Sequence, residues 1–148
     1  MQRRIVPDLV RNQTLASLPP SATVHDAARV MAERHIGAIL VAIDGRLQGI
    51  FTERDVLARV VAAGLDPKDT ALGGVMTPNP DTVGPNDKAL DALQRMSERG
   101  YRHLPVVDGE RIVGIVSIRD LYASVNRELA EDLQQREAFI FDTGYGTG

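Results

Sequence analysis

The chain has 148 residues, 43% hydrophobic and 25% charged, with a formal charge of −3; that is about one globular domain, and its acidity argues against general binding to nucleic acid or to an anionic membrane. It contains no cysteine, which excludes disulfides, thiol nucleophiles and Cys-ligated zinc or iron–sulfur sites. No apolar run approaches the ~18 residues of a membrane span, and the N-terminal MQRRIVPDLV lacks the apolar core of a signal peptide, so a cytoplasmic protein is expected.

Along the chain, "SATVHDAARVMAERHIG" places Val24, Ala27, Ala28 and Met31 on one helical stripe, with Ser21 as candidate N-cap and a stop near Gly37. "IGAILVAI" and "RLQGIF" are short apolar runs separated by Asp44-Gly45, a two-residue hairpin signal. A helix carrying Val56, Leu57, Val60 and Val61 follows, and residues 64–81 form a Gly/Pro-rich connector. A second helical stripe holds Ala89, Ala92, Leu93 and Met96 and closes at Gly100. The runs "YRHLPVV" and "RIVGIVS" flank a turn around Asp108-Gly109, and Pro105 predicts an edge position or a bulge in the first of them. Leu121, Val125, Leu129 and Leu133 recur every four residues, so the last helix is predicted to run well past Asn126. The tail after about Phe141 reads as frayed, and Phe139 and Phe141 are candidates for docking on the body or on a dimer partner.

The second half repeats the first. Shifting the chain by 65 residues aligns 17–57 with 82–122 without a gap, and 12 of those 41 positions are identical. Neither copy alone would bury much core, so the two are expected to pack face to face. Predicted boundaries are 8–66 for the first repeat, 74–126 for the second, and 127–148 for a helical extension and flexible tail.

Each copy ends on one motif: "FTERDVL" at 51–57 and "VSIRDLY" at 116–122, both after Gly-Ile. Thr52 with Asp55 three residues on has the form of a capping box. Arg54 and Arg119, however, fall in the first helical turn, where a cation is unfavourable unless an anion compensates it. An Arg suits a phosphate, and an Asp suits the two hydroxyls of a ribose. Capping and binding are compatible, since a cap holds the Asp rotamer in place.

The repeat, the Gly-Ile-hydrophobic-Ser/Thr-x-x-Asp endings and the stretch "MTPNPDTVGPNDKALDALQRMSERGYRHLPVVDGERIVGIVSIRDL" resemble cystathionine-β-synthase (CBS) domains in a tandem pair, also called a Bateman module. The resemblance covers roughly residues 8–125. It implies an α/β (α+β) fold of two βαββα repeats packed as a pseudo-two-fold pair, with two clefts and frequent dimerisation into a flat disc. It also implies an adenosine-containing small molecule as ligand: AMP, ADP, ATP, NAD(H) or S-adenosylmethionine. Carried over by position, the ribose Asp matches Asp120 and Asp55, the hydroxyl matches Ser117 and Thr52, and the phosphate-side residue matches Arg119 and Arg54. The segment flanking the base and phosphates matches Tyr101, Arg102, His103, Leu104 and Pro105 in copy two, and Ile36, Gly37, Ala38, Ile39 and Leu40 in copy one. The adenine seat matches Thr82-Val83 and, by repeat symmetry, Ser17-Leu18. With Arg102 and His103 where copy one has Gly37 and Ala38, the copy-two site is expected to be the better equipped for phosphate.

Elsewhere the chemistry is sparse. His25 and His35 lie on different faces of one helix, which disfavours a shared metal site. His103 divides between ligand contact and a packing role. Neither a phosphate loop nor a Ser–His–Asp arrangement can be read from the sequence, and "NRELAEDLQQRE" reads as a solvated helix face. The expectation is a non-enzymatic regulatory module, requiring no cofactor, that binds an adenine nucleotide (Mg²⁺ being a candidate companion). It would form a homodimer and signal in trans to an effector protein, with no nucleic-acid or membrane partner. The alternatives are a dimerisation module with degenerate, non-binding clefts and a nucleotide-processing enzyme of unfamiliar type.

Overall fold

The computed structural model describes residues 3–10 and 13–142. Its elements run β1 (Ser17–Leu18), α1 (Val24–Arg34), β2 (Ala38–Ile43), β3 (Arg46–Thr52), the short α2 (Glu53–Asp55) continued by wide helical turns at Val56–Val61, β4 (Thr77–Pro78), α3 (Ala89–Arg99), β5 (His103–Asp108), β6 (Arg111–Ser117) and α4 (Ile118–Asp142). One sheet has the order β1-β2-β3-β4, with β1 parallel to β2 and the other neighbours antiparallel; β5 and β6 form a second, two-stranded sheet.

Local chemistry explains the element ends. α1 starts at a reciprocal capping box: the Asp26 amide donates to Thr23 Oγ1 at 3.1 Å and the Thr23 amide donates to Asp26 Oδ2 at 3.3 Å. Ser21 therefore lies outside the helix, because only Thr23 has an acidic partner three residues on. The helix stops at His35, in the left-handed region at φ 54°, rather than at Gly37. α3 ends on Gly100 at φ 76°, as its sequence predicts. Thr23→Ala is expected to cost about 1 kcal/mol, with no loss of fold, in a urea titration.

The hairpins turn where the glycines permit. In the first, Asp44 and Gly45 both have positive φ, the combination a two-residue hairpin of matching twist requires. In the second, Asp108 is still strand and the turn falls on Gly109 (φ 62°) and Glu110, one residue later than predicted. The bulge expected from Pro105 is present after Val106, but β2 has the same bulge after Val41 with no proline, so it belongs to the repeat rather than to Pro105. The proline acts on the other edge. Leu40 donates its amide to Ala16 O at 3.0 Å, whereas Pro105 has no N–H to offer at the matching site. The strand equivalent to β1 accordingly shrinks to a single bridge, Val83 with Val106.

Strand alternation divides the core. Ile39, Val41 and Phe51 face α1 and cluster with Val24, Ala27, Met31 and Val60, while Ala38, Leu40 and Ile50 face the other way and meet Ile112 and Ile115 of the second repeat. The two repeats thus join along one apolar seam between their sheets.

Each repeat is completed by the segment that precedes the other. Leu72 and Val75 of the connector are buried in the core of the first repeat, and Ile5 and Val10 are buried in that of the second. The backbone repeats the exchange: the first amide of α1 donates to Thr70 O and the first amide of α3 donates to Arg3 O, both at 2.9 Å. Arg3 also pairs with Glu131 on α4 at 2.8 Å. At the sheet edge, β4 pairs with β3, while the Gln13 carboxamide does the corresponding job for β6, bonding both the N–H and the C=O of Ile115 at 3.0 Å.

α4 runs on to Asp142, as its four-residue apolar spacing predicts. No helix among the described residues is long and apolar enough to cross a membrane. The expectations for the tail fall on residues 143–148 and on the side chains of Phe139 and Phe141, which lie outside what the structure describes.

Candidate functional site

The hydroxyl–x–x–Asp motifs are helix caps, and the two copies are not equal. Thr52 donates its amide to Asp55 Oδ2 at 2.9 Å and its hydroxyl to the same oxygen at 3.2 Å, while the Asp55 amide donates back to Thr52 Oγ1 at 3.3 Å. Asp55 Oδ1 faces Arg59 Nε at 3.5 Å, and the side chain is only 13% exposed. In the second copy the Asp120 amide donates to Ser117 Oγ at 3.1 Å, and Asp120 and Arg119 are both exposed. The carboxylate of Asp55 is thus held in a fixed rotamer by three groups.

Each motif is anchored to the strand start of its own repeat: the Glu53 amide donates to Gly37 O at 3.0 Å and the Ile118 amide to Arg102 O at 2.8 Å. The side chains do not follow the backbone. A cleft of about 350 Å³ gathers Thr52, Glu53, Arg54 and Asp55 of the first repeat with Tyr101, Arg102, His103 and Leu104 of the second, over a floor that includes Ile50. Arg102 and His103, grouped with Asp120 in the sequence reading, therefore line a cleft with Asp55. The exchange arises because β2 and β3 face β6 across the seam, so a side chain leaving the start of β5 crosses to the other repeat's motif.

The remaining sequence-selected residues lie around this cleft or away from it. Gly37 sits beside it: a Cβ there would stand 3.1 Å from Glu53 Oε1 and 3.3 Å from His103 Cε1. Ala38 and Ile39 are core residues, as is Pro105 on the β5 side. Ser17 is exposed and Leu18 half-buried on β1. Thr82 accepts a hydrogen bond from Arg95 at 2.7 Å through its carbonyl, and Val83 is buried against β5; both are outside the Asp55 cleft. His25 is half-buried in the first turn of α1 and His35 is exposed at its end, and the described residues contain no cluster of three or more metal-ligating side chains.

Sequence reasoning missed one wall of the cleft. Thr77, Pro78, Asn79, Pro80 and Asp81, read as connector, line it. The signal was the Thr-Pro-Asn-Pro run: prolines stiffen the segment, and Asn79 takes the left-handed region at φ 45°, a conformation that costs energy outside glycine and clusters at binding sites.

The electrostatics are mixed. His103 is half-buried, and its pKa lies below the ordinary 6.5 because burial disfavours the charged ring; Glu53 and Asp120 pull it up, and the adjacent Arg102 pushes it down. Arg99 is held by Asp81 at the rim at 2.5 Å. The arrangement offers a fixed carboxylate, two guanidinium groups and an imidazole whose charged form burial disfavours, with apolar contacts from Ile50 and Leu104.

Comparison with known proteins agrees with this architecture. The family model described as CBS domain matches residues 6–62 and 72–127. A mitochondrial CBS domain-containing protein of Arabidopsis thaliana, CBSX3, is 38% identical over 123 residues, 80% of this chain. This chain spans 60% of that relative's length. Among solved structures, a CBS-domain protein from Burkholderia ambifaria superposes with a TM-score of 0.76 at 34% identity, covering 81% of this chain and 92% of the other. A CBS domain protein from Pyrobaculum aerophilum, complexed with AMP, superposes at 0.70 with 30% identity, covering 76% and 86%.

Proposed function

The chain belongs to the CBS-domain family, and from that premise we propose that it is a regulatory module that binds an adenine nucleotide in the Asp55 cleft and signals to a partner protein in trans. The observation that carries this reading is the cleft itself. It sets a restrained carboxylate (Asp55) and two guanidiniums (Arg54 and Arg102) around a volume of about 350 Å³, within the roughly 300–1,000 Å³ usual for small-molecule sites. Asp55 would accept the ribose hydroxyls, Arg102 and Arg54 would meet phosphate, and Ile50 and Leu104 would pack on the base. The AMP complex of the Pyrobaculum relative supports the same ligand class. The cleft spans both repeats, so an occupant would bias how they pack, which is the means of signalling. The family match and the CBS-domain relatives support a regulatory, non-enzymatic role. Leu57 and Val61, 65% and 60% exposed on the turns after the motif, and Leu129 and Leu133 on α4 are apolar surface suited to a homodimer.

Thermal shift with AMP, ADP, ATP, NAD(H) and S-adenosylmethionine, with and without Mg²⁺, followed by calorimetry, tests the reading. Wild-type protein is expected to melt higher with at least one of these ligands. Asp55→Asn keeps the cap acceptor but loses the charge, and it is expected to weaken binding at least tenfold. The second reading, a dimerisation module with degenerate clefts, draws on the same capping geometry, since Asp55 already has partners without a ligand. It would be favoured if no ligand shifted the melting temperature.

A further inference from the structure

We propose that the Asp55 cleft selects nucleotides carrying a single phosphate and discriminates against di- and triphosphates, a choice of ligand that rests on the nucleotide-binding reading above. The charges lining the cleft are few and of both signs: Arg54 and Arg102 against Glu53, Asp55 and Asp81, with His103 on the same lining. Two of the carboxylates are already committed. Asp55 faces Arg59 at 3.5 Å and Asp81 holds Arg99 at 2.5 Å. Their charges are thus countered within the protein, so that with Asp55 still an acceptor for ribose, the charge a phosphate meets is that of Arg54, Arg102 and Glu53.

A phosphate monoester carries about −1.5 to −2 charges at neutral pH, which two guanidinium groups can match. Every further phosphate adds negative charge with no further cation lining this cleft beyond His103 to meet it, and crowds Glu53. The adjacent recess would be the obvious place for a longer phosphate chain, since it shares Pro80 and Asp81 with the cleft and contains Arg95 and Arg99. Arg99 is paired with Asp81, and the Asp81 carboxylate lines both spaces, so a chain entering the recess meets that negative charge before it gains Arg95. Arg95 donates to Thr82 O at 2.7 Å, and pulling Arg99 away would strand Asp81.

His103 makes a third positive charge conditional. Glu53 faces it from the first repeat, Asp120 from the second, and Arg102 precedes it on its own strand, while Asp55 and Arg54 share the cleft. Burial holds the pKa of the free ring below its ordinary value. A phosphate beside it favours the imidazolium, so binding takes up a proton and single-phosphate affinity gains from His103 as pH falls from 7.5 toward 6.

The test is calorimetry on the full chain with adenosine, AMP, ADP and ATP in EDTA, at pH 7.5 and 6.0, using wild type, His103→Gln and Glu53→Gln. AMP is expected to bind at least tenfold more tightly than ATP and more tightly than adenosine. Lowering the pH should raise the wild-type affinity for AMP about threefold or more relative to His103→Gln, a comparison in which protonation of AMP itself cancels. Glu53→Gln should improve ATP relative to AMP. ATP binding as tightly as AMP, adenosine matching AMP, or an AMP-to-ATP ratio unmoved by Glu53→Gln would each overturn the single-phosphate assignment. A pH response equal in wild type and His103→Gln overturns the proton coupling. Failure of all four compounds to bind overturns the nucleotide reading itself, a separate result.

Discussion

Phe51→Ala is expected to destabilise the fold by about 3–5 kcal/mol, the usual cost of emptying a buried aromatic site. Phe51 is fully buried and among the largest of the inaccessible side chains. It lies in the first-repeat core with Val24, Met31, Ile39, Val60, Leu72 and Val75. Those neighbours come from a helix, a strand, a helical turn and the connector, so no single element can move to fill the void. The motif begins at Thr52, one residue later, which ties the cleft to this packing. In guanidinium or urea the midpoint should fall with little change in slope, and the melting temperature should drop on the order of 10 °C. A loss below 1 kcal/mol would mean that the first-repeat core is not packed as described.

Gly49→Ala and Gly114→Ala occupy matching positions in the two repeats, and they are expected to differ. At Gly49 a methyl group would meet Met76 Sδ at 2.6 Å and the backbone oxygen of Thr77 at 2.7 Å. The sulfur can swing away, but the Thr77 carbonyl belongs to β4, whose pairing with β3 sets the cleft wall. At Gly114 the obstacles are Gln13 Oε1 at 2.6 Å, the end of a long side chain, and Val10 Cγ1 at 2.7 Å, a branch of a stiff, buried valine, with no backbone atom among them. Gln13 is exposed and can turn out at the cost of its two bonds to Ile115. Overpacking costs about 1–3 kcal/mol; Gly49→Ala, which meets backbone, should fall at the upper end or beyond it, and Gly114→Ala, which must shift Val10 and release Gln13 but meets no backbone, should cost less. Gly49→Ala should also weaken nucleotide binding by displacing residues 77–81, an effect Gly114→Ala should lack. Equal destabilisation by the two, measured by denaturant titration, would contradict the distinction between a backbone and a side-chain obstacle.

Much of the fold was legible because its signals are local. Apolar spacing located α1, α3 and the length of α4, and glycine and aspartate marked the hairpins. Errors of one or two residues arose where two local signals competed. Ser21 and Thr23 could each cap α1, and the choice went to the residue with an acid at the third position. Asp108 and Gly109 could each open the second turn, and the strand ladder kept Asp108. The candidate site was only half legible. The motifs and the repeat alignment point to Asp55, Thr52, Arg54, Arg102 and His103 as residues, but order along the chain groups Arg102 and His103 with Asp120, whereas the cleft groups them with Asp55.

By itself the sequence determined that there are two copies of one unit, what each copy contains, and which residue types carry its chemistry. Those properties follow from periodicity and identity along the chain, which are local and survive unfolding. Only the tertiary structure decided which residues stand opposite one another. The apolar faces of β2, β3 and β6 close on a common seam, the leader of each repeat is buried in the other, and the side chains leaving β5 cross that seam. Asp55 therefore shares a cleft with Arg102, 47 residues further along the chain, a juxtaposition created by burial of apolar surface that no spacing rule encodes.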